Sequence, residues 1–187
     1  PLAARGALAA VARPVPRRWP AGPTRAAAAG TVPVRVEVVL DDLTELPTLH
    51  AASGETLMEV LSRADVGDVW SDAGACGGAC SCSTCRVVLE PGWRHEDCEA
   101  MPAPEDEELD MLETAAKEFS RQGAKPWERG DEDEAAESKR EALEAEFLEG
   151  ARLSCQIVLA PELDGLRVRL VGVGPNMMEV PLWLRSR

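Results

Sequence analysis

The first clear hydrophobic pattern lies at residues 32–40, where apolar and polar residues alternate. A period of two predicts a β-strand with one buried face, and the two aspartates that follow supply a turn before a second extended run at 46–50. From Leu57 onwards, apolar residues recur at helical spacing, and Ser53 is placed to cap a helix of about two turns. The pattern therefore predicts a β-hairpin followed by a short helix.

Two longer helices are predicted downstream. Residues 104–119 begin with a proline and several acidic residues, which favour a helix N-terminus, and apolar residues follow on one side. Residues 131–148 are predicted to form a second charged helix with a narrow apolar stripe of Leu143, Phe147 and Leu148. Predicted strands complete the core at residues 86–90, 153–159 and 166–171.

The charge of the chain is unevenly distributed. The 187 residues carry a formal net charge of −13, yet residues 1–30 contain five arginines and no acidic residue. This Ala-, Arg- and Pro-rich segment is typical of a transit peptide, with an assembly arm as the alternative. The acidic remainder disfavours nucleic-acid binding and favours a basic protein partner. No apolar run approaches the roughly 20 residues that a membrane-spanning helix needs, so no transmembrane segment is predicted.

Three of the six cysteines lie together in the spacing C-x5-C-x2-C. Cys76, Cys82 and Cys85 belong to a loop of small residues beginning near position 73, and Cys155 lies far downstream. Each of two tetrahedral irons needs two thiolates besides two bridging sulfides, and small residues let backbone N–H groups approach the sulfurs. The sequence therefore predicts a 2Fe-2S cluster as cofactor, with these four cysteines as ligands.

Two cysteines remain outside that set. Cys80 lies inside the same loop, where it is either a small apolar filler, the preferred interpretation, or a substitute ligand. A competing pattern is a tetrahedral structural zinc module on Cys82, Cys85, His95 and Cys98. The zinc alternative leaves the other proposed cluster ligands unexplained.

Four short motifs occur in the sequence, and together they indicate a protein family more specifically than any one of them does alone. They are G-E-T-L-M-E-V at 54–60, the cysteine loop ending in C-S-T-C at 76–85, D-E-E-L-D-M-L at 106–112 and R-L-S-C-Q at 152–156. Together they resemble the vertebrate-type or mitochondrial, adrenodoxin-like 2Fe-2S ferredoxins. The resemblance implies that Cys76 and Cys82 hold one iron and that Cys85 and Cys155 hold the other.

The fold that this resemblance implies is α+β, a β-grasp (ubiquitin-like) ferredoxin domain at residues 31–172. Three additions surround or interrupt it: the segment at 1–30, a charged helical insertion at about 121–150, and an apolar tail at 173–187. The insertion is either a passive surface addition or a docking helix. The tail is expected either to bind a partner or to fold back on its own domain.

The resemblance also implies how partners bind. The family's acidic docking surface for ferredoxin reductase and electron acceptors corresponds to Asp106, Glu107, Asp110 and Glu113. A solvated face without a binding role is the alternative. One departure is Arg86, a fixed cation where the family commonly has a histidine after the third loop cysteine.

Two functions are compatible with these features. One is a mobile one-electron carrier in the mitochondrial matrix, passing electrons from a reductase to iron-sulfur cluster assembly or to a cytochrome P450. The other is a ferredoxin-like accessory or bridging subunit of respiratory complex I, bound to the matrix side of the inner membrane. The leader at residues 1–30, the insertion and the apolar tail favour the subunit, whereas the complete ligand set favours the carrier. No catalytic triad or nucleotide-binding glycine motif is present, so an enzyme is not expected.

Overall fold

The computed structural model describes residues 33–64, 66–123 and 134–181. Its strands are β1 (Pro33–Leu40), β2 (Leu49–Ala52), β3 (Arg86–Leu89), β4 (Ala151–Leu153) and β5 (Leu166–Leu170). Its helices are α1 (Leu57–Arg63), α2 (Asp106–Gly123) and α3 (Glu134–Leu148), with short 3-10 turns at Asp68–Trp70 and Pro161–Leu163. The predicted leader, residues 1–30, lies outside the described residues.

The strands of the described part form one mixed sheet in the order β2-β1-β5-β3-β4. β1 pairs antiparallel with β2 and parallel with β5, whereas β3 pairs antiparallel with both β4 and β5. Val34, Val36 and Val38 of β1 are buried, as the alternating sequence pattern predicted. The mixed sheet and its helices confirm the predicted α+β class.

The N-cap of α1 differs from the prediction. Thr56, not Ser53, caps the helix: its hydroxyl accepts a hydrogen bond from Glu59 N at 3.2 Å, and the Glu59 carboxylate accepts one from Thr56 N at 2.8 Å. This reciprocal capping box needs a Glu or Gln three residues after the cap. The prediction of Ser53 is wrong because the residue three positions after Ser53 is Thr56, which is neither Glu nor Gln.

Two strands are shorter or shifted relative to the prediction. β2 covers Leu49–Ala52 rather than 46–50, in register with β1. The predicted strand at 153–159 is wrong beyond Leu153, where β4 ends and a turn closed by the hydrogen bond from Gln156 N to Leu153 O begins. Cys155 therefore lies in a turn, which allows its side chain to face a neighbouring loop instead of a strand partner.

The insertion packs onto the domain. α2 continues to Gly123, beyond its predicted end at 119, and α3 packs against it. Phe147 of the predicted apolar stripe is buried, with its ring centroid 5.2 Å from that of Phe119, while Leu143 and Leu148 are half-buried. The stripe thus covers the chain's own surface.

The described part of the C-terminal tail folds back on its own domain, which is one of the two arrangements predicted from the sequence. Met177 is 1% exposed, and its N–H donates to Cys82 O at 3.0 Å. Ser83 donates from its hydroxyl to Pro175 O at 2.6 Å. The tail therefore supports the outside of the cysteine loop. Its predicted apolar residues at 182–184 lie outside the described residues.

Candidate metal centre

The cysteine loop is tightly curved, and its backbone has residues with positive φ. Gly74 and Gly78, with φ of +75° and +94°, lie against Met58 of α1: a Cβ on Gly74 would be 3.1 Å from Met58 Sδ, and one on Gly78 would be 3.5 Å from Met58 Cε. The same added atom on Gly78 would also be 3.9 Å from Cys155 Cβ. Glycine at these positions lets the loop approach both α1 and the distant cysteine.

The structure brings the four predicted cysteines together in two pairs. The Cys76 and Cys82 side chains are hydrogen-bonded to each other, and so are those of Cys85 and Cys155. The second pair joins β3 to the turn after β4, where Ser154 N also donates to Cys85 O at 3.0 Å. The fold thereby places four cysteines, which are up to 79 positions apart in the sequence, as two adjacent pairs of sulfur atoms.

Hydrogen-bond donors surround these sulfurs. The Thr84 hydroxyl oxygen accepts from Ala75 N at 3.1 Å and lies 3.1 Å from Cys82 Sγ. Because that oxygen already accepts a hydrogen bond, its own proton is free to be donated to the sulfur. Gln156 Nε2 donates to Cys155 Sγ at 3.1 Å. Such donors favour thiolate over thiol.

Proton affinity differs among the four thiols. Burial opposes ionisation of Cys76, but hydrogen bonds from the backbone and from Ser81 leave its pKa below the usual value. Burial raises the pKa of Cys82. The hydrogen bond from the Cys85 thiol to Cys155, together with burial, raises the pKa of Cys85. The same bond outweighs burial at Cys155 and lowers the pKa of Cys155 to about 6. Each pair thus contains one sulfur with a lowered pKa.

Cys80 behaves differently from the other loop cysteines. Burial, followed by the charge of Cys155, raises its pKa to about 11. Its side chain packs against the hydrophobic core, whereas its backbone hydrogen-bonds to Cys155. Cys98 is also half-buried against the core. These contacts agree with the interpretation of Cys80 as a filler.

The zinc alternative finds no support in the part of the chain that the structure describes. Within residues 33–64, 66–123 and 134–181, no group of three or more His, Cys, Asp and Glu side chains converges on one point as a single ion requires. His95 instead lies 3.3 Å from the Glu96 carboxylate. A cluster of two irons makes a different demand, because it distributes four thiolates as two pairs over two metal centres.

The four predicted docking residues all lie exposed on the N-terminal half of α2: Asp106, Glu107, Asp110 and Glu113. Glu108 on the same helix points inward and is 2% exposed. It accepts bidentate hydrogen bonds from Arg152 at 2.9 and 3.0 Å, and one from Leu153 N at 2.7 Å. These hydrogen bonds therefore hold the acidic helix against the backbone of Leu153, two residues before Cys155.

Several residues of the site had no role assigned from the sequence. Thr84 and Gln156 were inside the motifs C-S-T-C and R-L-S-C-Q, which is the signal that could have identified them. Arg86 is buried, donates to Phe147 O from Nε and Nη2 at 3.1 and 2.6 Å, and lies 3.9 Å from the centre of the Phe147 ring. Burial lowers the pKa of Arg86 to about 10.

None of the helices in the described part of the chain has the length and apolar character needed to span a bilayer. No protein-family model matches the sequence. Individual relatives do match.

The mitochondrial adrenodoxin homolog of Saccharomyces cerevisiae is 29% identical over 144 residues, covering 77% of this chain and 62% of the yeast protein. A 2Fe-2S ferredoxin of Rickettsia montanensis is 28% identical over 77% of this chain and 95% of its own length. Putidaredoxin of Pseudomonas putida is 28% identical over 64% of this chain and 79% of its own length. A solved putidaredoxin variant covers 73% of this chain and 95% of that variant, at 27% identity and a TM-score of 0.48.

The chain thus spans about three fifths of the yeast relative and most of the bacterial ones. The Rickettsia relative is a 2Fe-2S ferredoxin by name, and the structure has cysteines in the cluster-binding region, which confirms the prediction of a 2Fe-2S cofactor. At 28–29% identity, the chain is similar to 2Fe-2S ferredoxins of the adrenodoxin and putidaredoxin type.

Proposed function

We propose that the protein is a one-electron carrier and not an enzyme, with Cys76 and Cys82 holding one iron of a 2Fe-2S cluster and Cys85 and Cys155 the other. The observation that carries this proposal is the arrangement of the four thiols as two hydrogen-bonded pairs. When bound, the cluster takes up and releases a single electron.

The surrounding residues support this assignment. Thr84 and Gln156 are positioned to donate to ligand sulfurs, which stabilises the negative charge that accumulates on them. Ser154 is fully buried, and its hydroxyl has no hydrogen-bond partner among the described residues. A sulfur acceptor beside Cys155 would satisfy that hydroxyl. The fold is proposed to be the β-grasp ferredoxin domain of residues 31–172.

Spectroscopy on purified protein tests the site. We expect two irons and two acid-labile sulfides per chain, a visible 2Fe-2S spectrum, and a rhombic electron paramagnetic resonance signal only after reduction with dithionite. Serine substitution of each proposed ligand should abolish or strongly alter these signals, whereas Cys80→Ser and Cys98→Ser should retain them. A cluster that persists in Cys155→Ser but disappears in Cys80→Ser would contradict the ligand assignment.

The acidic face of α2 is proposed to dock a ferredoxin reductase and then an electron acceptor. Its four carboxylates are exposed, and like-signed charges on one face accelerate encounter with a basic partner. Asp110→Asn and Glu113→Gln should slow reduction by a reductase at low salt, with the difference shrinking as salt rises. Glu162→Gln, an exposed acid in a 3-10 turn, is the control and should leave the rate unchanged.

The proposed location is the mitochondrial matrix, where the acceptor would be iron-sulfur cluster assembly or a cytochrome P450. The transit-peptide-like composition of residues 1–30 supports this, as does the word mitochondrial in the name of the yeast relative. Imaging of the full-length chain fused to a fluorescent protein at its C-terminus tests the location. Signal outside mitochondria would contradict it.

The alternative, an accessory subunit of respiratory complex I, is less well supported. The leader, the insertion and the tail were its arguments, yet Phe147 of the insertion and Met177 of the tail are both buried against the chain's own domain. These two side chains are therefore not available to a permanent neighbour. Native size measurement on mitochondrial extract distinguishes the two: we expect a small free protein, and exclusive comigration with complex I would favour the subunit instead.

A further inference from the structure

Arg86 connects the cysteine site to the charged insertion. It follows Cys85 directly, its backbone N–H donates to Ser83 O at 3.2 Å, and it pairs with Leu153 across β3 and β4. Leu153 in turn lies two residues before Cys155. The backbone of Arg86 is therefore part of the frame that positions two proposed ligands.

The side chain of Arg86 leaves that frame and reaches the last turn of α3. Both Nε and Nη2 donate to the Phe147 carbonyl, and the guanidinium lies over the Phe147 ring. The C-terminal end of a helix carries partial negative charge, which suits a cation. Arg86 is 7% exposed, and no described carboxylate lies within ion-pair distance of it, although Asp41 and Glu146 act on it electrostatically from farther away. Its positive charge is thus held in place and only partly offset by surrounding carboxylates.

The position of α3 depends on contacts other than Arg86. The Phe147 ring packs on Phe119 of α2, and the Ser120 hydroxyl donates to the Glu144 carboxylate at 2.8 Å. These contacts fix the carbonyl to which Arg86 donates. The location of the buried cation therefore depends on the insertion being packed on α2.

We propose, resting on the proposed cluster site, that Arg86 is a positioning residue whose buried charge, fixed by the insertion, raises the reduction potential of the cluster. Reduction adds one electron, and hence one negative charge, to the cluster and its thiolates. A cation fixed inside the protein stabilises that charge more than a hydrated surface cation does. The insertion would then adjust the electron affinity of the site instead of being a passive surface addition.

The midpoint potential of the full-length, cluster-loaded protein tests this inference. Arg86→Gln removes the charge and keeps an amide that can donate to the Phe147 carbonyl. We expect it to lower the equilibrium constant for one-electron reduction about tenfold, which is about 59 mV. Arg86→Lys keeps a cation and should change that constant less than about threefold. Potentials are read from a dithionite titration followed by electron paramagnetic resonance.

A matched control removes a charge elsewhere. Arg35 on β1 is two strands away from β3, and its side chain is 58% exposed, so Arg35→Gln should change the reduction equilibrium less than about twofold. Equal effects of Arg35→Gln and Arg86→Gln would overturn the inference, because net charge alone would then explain them.

A second variant tests the part played by the insertion. Phe147→Leu removes the ring and leaves the carbonyl, and we expect a fall in potential smaller than that of Arg86→Gln. If Arg86→Gln does not fold, the midpoint potential of Phe147→Leu still tests the inference. An unchanged potential in Phe147→Leu would overturn the role of the insertion. A wild-type protein without a 2Fe-2S spectrum would reject the proposed function itself, whereas a normal spectrum with equal potentials in wild type and Arg86→Gln would reject only this inference.

Discussion

Glu108 and Arg152 form a buried bidentate ion pair between the acidic helix and the strand that leads to Cys155. The two side chains are 2% and 4% exposed, and Arg152 also donates to Pro102 O at 2.6 Å. Glu108 accepts a third hydrogen bond from Leu153 N. A single buried carboxylate thus fixes both the acidic helix α2 and the backbone next to a proposed ligand.

Removing one partner of this pair should strongly destabilise the fold. Glu108→Gln leaves the Arg152 cation buried without its counter-charge, a change that typically costs about 3–5 kcal/mol. The expected result is a large fall in the free energy of unfolding, measured by chemical denaturation followed by circular dichroism. Cluster loss at lower temperature than in the wild type should accompany it.

The neighbouring residue provides the control for this prediction. Glu107 is exposed on the same turn of α2, so Glu107→Gln should change stability by no more than about 0.5 kcal/mol. It should instead slow docking of a basic reductase at low salt. Similar stability losses in both variants would contradict the separate roles of the two carboxylates.

Thr84 joins two parts of the cysteine loop through one hydroxyl group. Thr84→Val removes that group, which leaves the Ala75 N–H without its acceptor and Cys82 Sγ without a donor. Loss of a buried hydrogen bond with one partner left unsatisfied costs about 1–3 kcal/mol, a range that applies to the buried Cys82 bond, whereas the N–H of the exposed Ala75 can be hydrated. We therefore expect lower thermal stability and a more negative potential, measured by loss of visible absorbance on heating and by redox titration.

Thr84→Ser is the matched variant because it keeps the hydroxyl and loses only a methyl group. It should restore most of the stability and the potential. A Thr84→Ser protein as impaired as Thr84→Val would show that side-chain packing matters here and that the hydroxyl does not.

Local patterns in the sequence identified those parts of the fold that depend on near neighbours. The alternation at 32–40 predicted β1, and the spacing of Cys76, Cys82 and Cys85 on a loop of small residues predicted a site to which the structure brings all three. In each case the chemical signal lies within about ten consecutive residues, where side-chain periodicity and backbone freedom are enough to carry it.

Contacts between distant residues were not predictable in the same way. Glu108 is one acid among several on a charged helix, and only its proximity to Arg152, 44 positions away, distinguishes it from its exposed neighbours. Arg86 and Phe147 are 61 positions apart, and their contact depends on how α3 packs. Whether a carboxylate or a guanidinium points into the core or into solvent depends on the tertiary structure, which the local pattern of a single sequence does not specify.

Met177 in the tail is expected to be required for a stable cysteine loop. Met177→Ala removes a fully buried side chain and leaves a cavity, which typically costs about 2–5 kcal/mol. The loss should also shorten the lifetime of the bound cluster, because the buried side chain holds the tail in the position from which the backbone N–H of Met177 donates to Cys82 O. Met178→Ala is the control: that side chain is 55% exposed and should be neutral within about 0.5 kcal/mol. Equal losses would contradict the inward packing of the tail.

Glu55 should make a small contribution to stability that depends on pH. Its carboxylate accepts hydrogen bonds from Arg63 at 2.7 and 2.8 Å and from Ala52 N at 2.7 Å, and the bond from Arg63 is the main cause that lowers the pKa of Glu55 below 4.5. A carboxylate with a lowered pKa in the folded state stabilises the fold above its unfolded pKa and loses that effect as pH falls through the folded value.

The pair is partly exposed, so at neutral pH Glu55→Gln should cost no more than about 1 kcal/mol. The difference in unfolding free energy between wild type and variant should be constant from pH 7 to about 5 and decline below about 4.5, because the Glu55 carboxylate is then progressively protonated and loses the charge that Arg63 stabilises. Urea denaturation at a series of pH values measures it. A difference that grew on acidification would have the wrong sign for a carboxylate stabilised by Arg63, and would contradict the assigned role of this pair.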